Sequence, residues 1–245
     1  MSRNFELLLQ AGAVGHYFHG IESDVVDKTP ASAESRYRVP HNDEFAQLVR
    51  RVFLNARHSS IRSLMISGTS CGQPAEACAQ IGRSLASLVD AGVCLVDANF
   101  AHPSLHERFG DDNVAGLADA LLLSKSPKAF ARQIEHSNLY FMPAGMAATN
   151  RTISEADLSA NLDFLKREFD YLVVAAPPAD DGRHLNAIGR VCDGALLVLE
   201  GGGVPLNVML KIKRQFDASD IALFGVVLNG PADLRHPSST ITPGR

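Results

Sequence analysis

The stretch 66-ISGTSCGQPAEACAQIGRSLA-86 joins an apolar lead-in, a loop of small residues and an alanine-rich segment of helical character. A strand, a small-residue loop and a helix in that order grip phosphate when the loop reads GxxxxGK[ST]. Backbone N–H groups then wrap the phosphates, the lysine neutralises the terminal ones and the hydroxyl holds magnesium. Gly68, Thr69 and Gly72 give this loop its small, flexible turn. The charged positions differ. With Gly72 set two residues before the motif's final glycine, Pro74 stands for that glycine, Ala75 for the lysine and Glu76 for the hydroxyl residue. Proline lacks the N–H donor, and Glu76 puts a carboxylate at a helix N-terminus where phosphate would lie. No lysine occurs between Lys28 and Lys125, so no shift of register restores one. Two readings follow: a nucleotide site that uses backbone donors alone, or a strand-turn-helix that holds no ligand. A triphosphate with magnesium needs compensating charges that this loop lacks, which favours the second.

The elements that must position this loop alternate regularly. NDEFAQLVRRVFLNA from Asn42 is an amphipathic helix, with Phe45, Leu48, Val49, Val52 and Phe53 on one stripe. Apolar runs at 61–67, 93–97, 139–143, 170–176, 194–200 and 221–229 read as strands. Helical segments fall at 75–90, 116–123, 127–135, 155–168 and 205–217. Short, continuously apolar strands separated by helices predict an α/β fold, a three-layer sandwich with a mostly parallel central sheet flanked by helices. Ligands bind beyond the C-terminal ends of such strands, which singles out the loops after 67, 97, 176 and 229. Residues 1–41 read as a short helix and linker, 42–232 as the domain, and 233–245 as a disordered polar tail.

Composition sets the outer limits. The 245 residues are 46% apolar and 20% charged with a net charge of −4, a soluble globular balance that offers nothing to nucleic acid or an anionic membrane surface. Cys71, Cys78, Cys94 and Cys192 form no Cys-x-x-Cys pair and read as small core residues of a reducing compartment. No apolar run reaches the ~18 residues that span a bilayer, and the N-terminus does not read as a signal peptide. A cytoplasmic protein that meets a membrane only through a partner is the expectation.

Several longer segments, in order, resemble those of the bacterial tyrosine kinases and the related cytoplasmic domains of polysaccharide co-polymerases, which are P-loop proteins of the MinD/ParA type. VCLVDANFAHPSLHERFG resembles the family's second acidic motif, a strand ending Asp-x-Asp-x-Arg followed by Arg-Pro-Ser-Leu-His-x-x-Phe-Gly. NLYFMPAG resembles its Asn-Leu-Tyr-x-x-Pro-Ala-Gly turn, and FDYLVVAAPP its Walker B stretch, which ends Asp-Thr-Pro-Pro. LFGVVLNG resembles its closing Gly-Val-Val-Leu-Asn, whose asparagine contacts the base. The departures run in one direction. Asp97 keeps one acidic position, but Asn99 replaces the second carboxylate and Ala101 the arginine. The magnesium-holding Walker B aspartate falls on Ala175. The family's self-association motif Glu-x-x-Arg-x-x-Arg becomes Glu44, Gln47 and Arg50, and its tyrosine-rich tail is replaced by one with only Ser and Thr after Tyr171.

The resemblance implies a P-loop fold and a vestigial nucleotide site made of Gly68, Thr69, Gly72, Ala75, Glu76, Asp97, Asn99, Ala175 and Asn229, with no catalytic residue and no metal ligand. Losing the lysine, the hydroxyl and the aspartate together removes most of the electrostatic basis for phosphoryl transfer. Asp97 could still bind a metal or cap the next turn. Asn229 could read an adenine or shape its turn with Gly230. Glu44, Gln47 and Arg50 could form a subunit contact or a solvated helix face. His102, His106 and Glu107 look at first like a metal patch but read better as loop or core packing. The implied role is exopolysaccharide or capsule biosynthesis by a non-catalytic protein that binds a membrane polysaccharide co-polymerase, with self-association as a further possibility. No cofactor is expected. The alternative is an active tyrosine kinase or ATPase using ATP and magnesium at a non-standard site.

Overall fold

The computed structural model describes residues 43–54, 61–69, 74–123, 125–146, 153–180, 184–200 and 204–229. The expectations for 1–41, for 233–245, and for Cys71 and Gly72 lie outside the described residues.

Seven strands form one sheet in the order β3-β4-β2-β5-β1-β6-β7. They are β1 (Ser63–Gly68), β2 (Val93–Asp97), β3 (Arg132–Gln133), β4 (Leu139–Met142), β5 (Tyr171–Ala175), β6 (Gly194–Glu200) and β7 (Leu223–Asn229). All pairings are parallel except that of β3 with β4. The helices are α1 (Asp43–Val52), α2 (Pro74–Leu88), α3 (Leu117–Leu123), α4 (Glu155–Glu168), α5 (Leu185–Val191) and α6 (Leu206–Ala218).

The continuous apolar strands follow from burial on both faces. Side chains alternate along a strand. Leu64 and Ile66 of β1, Val93 and Leu95 of β2 and Val173 of β5 therefore join α1 and α2 in one apolar layer. Met65, Cys94, Val96, Leu172 and Val174 join Leu158, Leu162, Ile188 and Phe216 in the other. Burying one such aliphatic side chain contributes roughly 1.5–3 kcal/mol, so the sheet is held from both sides. The small residues of α2 let it lie close to the sheet: a Cβ on Gly82 would meet Leu95 Cδ2 at 2.4 Å.

Two expectations need correction. The segment 127–135 is not a continuous helix. Pro127–Phe130 forms a 3₁₀ turn, after which Arg132–Gln133 pairs antiparallel with Tyr140 and Phe141 at the sheet edge. The short helix α5 was not expected; it lies between β5 and β6 with five of its seven residues buried.

Candidate functional site

At the C-terminal ends of three adjacent strands, β2, β5 and β1, the chain brings together residues that are far apart in sequence. Ala175, the last residue of β5, is in register with Asp97 on one side and Ile66 on the other. The Ala98 N–H donates to Ala175 O at 2.9 Å and the Ala176 N–H to Ile66 O at 2.8 Å. The turn beyond β5 is tied to the end of β1: Ser67 Oγ donates to Pro177 O at 2.7 Å, and the Ala179 N–H donates to Gly68 O at 2.8 Å. Gly68, Thr69, Asp97 and Ala175 thus meet at one end of the sheet. Thr69, Ala75, Asp97, Asn99 and Ala175 are all buried.

Asp97 is 1% exposed, and both of its carboxylate oxygens accept backbone N–H groups. Oδ1 accepts the Asn99 N–H at 3.0 Å, while Oδ2 accepts those of Ser104 at 3.0 Å and Leu105 at 2.9 Å. Asn99 Oδ1 in turn accepts the His102 N–H at 3.3 Å. The segment after β2 is therefore wound around the carboxylate, in the manner of a capping turn. Burial pushes the Asp97 carboxyl up to about 6, against the three N–H bonds and nearby His106, which pull it down.

Glu76 lies in the first turn of α2, where a carboxylate complements the helix dipole. Its Oε1 accepts Gln80 Nε2 at 2.9 Å, one turn along the same helix. Its Oε2 lies 3.1 Å from Arg108 Nε, an ion pair without the alignment of a full hydrogen bond. Arg108 belongs to the 3₁₀ turn His106–Phe109 that follows β2. That turn is anchored in its own right. Arg83 Nη2 donates to Arg108 O at 2.7 Å, and the Arg83 guanidinium lies 4.9 Å from the Phe109 ring centroid. Phe109 stacks on Phe141 of β4 at 4.9 Å. Sequence reading finds no cation near this loop, yet Arg108 supplies one. It occupies a variable position of the matched motif, and only the fold carries it to Glu76.

The proline-alanine-glycine turn after β4 has a physical explanation. The Leu117 and Ala118 N–H groups, orphaned at the start of α3, donate to Pro143 O and Ala144 O at 2.9 and 2.8 Å. Gly145 has φ +81, and a Cβ on Gly116 would lie 2.0 Å from Pro143 O, so only glycines let the two segments meet. Elsewhere, Glu44, Gln47 and Arg50 share the outer side of α1, with Gln47 and Arg50 exposed and Glu44 partly so. Asn229 ends β7, in register with Glu200. His102, His106 and Glu107 do not converge: among the described residues no three His, Cys, Asp or Glu side chains are grouped to hold a metal ion. No helix among them is long and apolar enough to cross a membrane.

No protein-family model matches the chain. Among curated proteins, it is similar to the tyrosine-protein kinase CpsD of Streptococcus agalactiae serotype III, 26% identical over 148 residues, which are 58% of this chain and 64% of CpsD. It is similar to the tyrosine-protein kinase YwqD of Bacillus subtilis, 24% identical over 213 residues, covering 84% and 85% of the two chains. The succinoglycan biosynthesis transport protein ExoP of Rhizobium meliloti is 25% identical over 167 residues, 64% of this chain but 21% of ExoP. The match thus spans a little under two thirds of CpsD and a small part of ExoP. Among solved structures, the chimerical protein CapA2B2 superposes with a TM-score of 0.69 at 18% identity, covering 80% of this chain and 87% of that one. The septum site-determining protein MinD of Pyrococcus horikoshii, complexed with Mg-ADP, gives 0.57 at 18% identity over 68% and 69%. The fold is that of the P-loop NTPases, and in sequence the chain is similar to bacterial tyrosine kinases.

Proposed function

We propose that this chain is a non-catalytic relative of the bacterial tyrosine kinases that acts in exopolysaccharide or capsule biosynthesis. In this reading it works as one domain over 42–232, in the cytoplasm, by binding and modulating a membrane polysaccharide co-polymerase. The outer face of α1 with Glu44, Gln47 and Arg50 is the surface for self-association. The pathway rests on the similarity to CpsD, YwqD and ExoP, the last named for succinoglycan biosynthesis and transport.

One observation carries the non-catalytic part. At the end of the sheet where phosphate chemistry would need free charges, each matched position is neutral or already engaged. Ala75 and Ala175 are buried alanines, Asp97 spends both oxygens on backbone N–H groups, and Glu76 is paired with Arg108. That set does not fit a triphosphate with magnesium. Isothermal titration of the full chain with ATP and magnesium is expected to give no heat of binding. Micromolar, magnesium-dependent binding would sink the reading.

The active alternative is favoured by the relatives that are named tyrosine kinases. It predicts a phosphotyrosine signal when purified protein is incubated with ATP and magnesium, abolished by Asp97→Asn. Silence across magnesium and manganese would leave the non-catalytic reading.

A further inference from the structure

The two edges of the sheet are unlike. At one, β3 is two residues long, and its Arg132 is ion-paired with Asp111. Short, charged strands are a way to keep an edge from pairing with another chain. At the other, β7 (LFGVVLN) has seven residues, no charge and no proline. Among the described residues β6 is its one strand neighbour. Phe224 is an extra residue at the start of that ladder, after which 225–229 run in unbroken register with 196–200. The other side of such a strand offers a row of backbone N–H and C=O groups to a further strand. Its faces are also incompletely covered: residues 195–199 of β6 are buried, whereas 223–227 of β7 are half-buried.

The helix α6, which lies over β6 and β7, carries the charges beside this edge. Its buried row is Met209, Ile212 and Phe216. Lys211 Nζ donates to Asp180 O at 3.3 Å, and Ser219 Oγ meets Asn186 of α5 at 2.5 Å, which marks the side of α6 that faces inward across the sheet. Lys213, about 200° around the helix from Lys211, and Asp217, one turn further on, lie on the opposite side, toward the outer edge of β7. The two form an ion pair at 2.6 Å, with Asp217 largely exposed.

We propose that the β7 edge is an interface for a second copy of this chain, β7 pairing antiparallel with its own equivalent across a two-fold axis so that the two sheets run on as one. A strand without charges can face itself, because no like charges are brought together. The same axis sets the outer side of α6 beside that of the other copy, running in the opposite direction. Lys213 of each copy then faces Asp217 of the other, so the charge pattern is self-complementary. This surface is separate from the outer face of α1 and does not depend on the non-catalytic reading.

Analytical ultracentrifugation of the full chain over a concentration series is expected to show a reversible dimer. Asp217→Lys, at an exposed position, turns both attractions between the copies into repulsions and is expected to weaken the dimer about tenfold. Adding Lys213→Asp restores opposite charges and is expected to restore the dimer. Hydrogen exchange gives a second readout, in which the β7 amides gain protection as concentration rises. A chain that is monomeric at every concentration overturns the proposal, and β7 amides protected equally throughout would then mean that another segment of the same chain covers the edge. A dimer that Asp217→Lys leaves intact also overturns it, and dissociation of that dimer by Arg50→Glu would assign the contact to α1. A charge-exchanged variant that stays monomeric overturns it as well.

Discussion

At each end of the sheet an aspartate accepts backbone N–H groups from a neighbouring segment, and the two differ in what surrounds the carboxylate. Asp97, beyond β2, is enclosed and has N–H donors alone around its oxygens. Asp193, just before β6 at the opposite end, is partly exposed. Its Oδ2 accepts the Arg62 and Ser63 N–H groups at 2.7 and 2.8 Å, and its Oδ1 meets Lys166 Nζ at 2.8 Å. Lys166 also donates to Val191 O at 2.8 Å, and the Asp193 N–H donates to Ser63 Oγ at 3.0 Å. The titration of the two aspartates moves in opposite directions. Burial raises the Asp97 carboxyl to about 6, whereas at Asp193 burial is outweighed by Lys166 and the N–H donors and the carboxyl falls below its ordinary value. At Asp97 three N–H donors do not offset the cost of burial, whereas at Asp193 a cation and partial exposure tip the balance.

The largest effect that would break this comparison is Asp97→Ala. It leaves three N–H groups without an acceptor in a closed site, a cost on the order of 4 kcal/mol in urea unfolding. A loss below that of Asp193→Ala would show that the segment after β2 rewinds without its anchor. Asp193→Ala should cost less, about 1–2 kcal/mol, because water reaches the groups it abandons.

The sharpest test is the pH dependence. Asp97 has its folded value above the unfolded one, so its stabilisation is complete below about 3.9 and is lost as pH rises through about 6. The deficit of Asp97→Asn relative to wild type should therefore shrink between those values. Asp193 has the opposite sign. Its stabilisation is present above about 3.9 and is lost as pH falls through the depressed folded value, so the deficit of Asp193→Asn should grow as pH rises to about 3.9 and stay level above it. Parallel slopes for the two variants would remove the distinction. The smallest expected effect is that of Lys166→Met, under about 1 kcal/mol, since the pair is partly solvated. This variant should nonetheless flatten the acid limb that Asp193 produces.

Most of the sheet was legible because strands buried on both faces are written as unbroken apolar runs, and those runs mark β1, β2, β4, β5, β6 and β7. The strand β3 was not legible: Arg132 and Gln133 are polar and reach only an edge. LNAIGRV was missed as a helix for the opposite reason, since burial of most of its residues erases the polar stripe that helical periodicity needs. At the site, the altered positions could be read from motif spacing, but their environment could not. That Asp97 is wound in backbone donors depends on the path of 99–105, and that Glu76 has a cation depends on where the fold carries Arg108. Contacts made across strand order leave no local pattern to find.

The register of Ala175 against Asp97 also bears on what a second carboxylate would do here. An aspartate at 175 would arrive on the neighbouring strand, about 4.8 Å away, in a position only 2% exposed. Two carboxylates in that enclosure repel unless a metal ion is already there to share them. Ala175→Asp alone is thus expected to lower stability. The register of two neighbouring strands makes the residue at 175 depend on the one at 97.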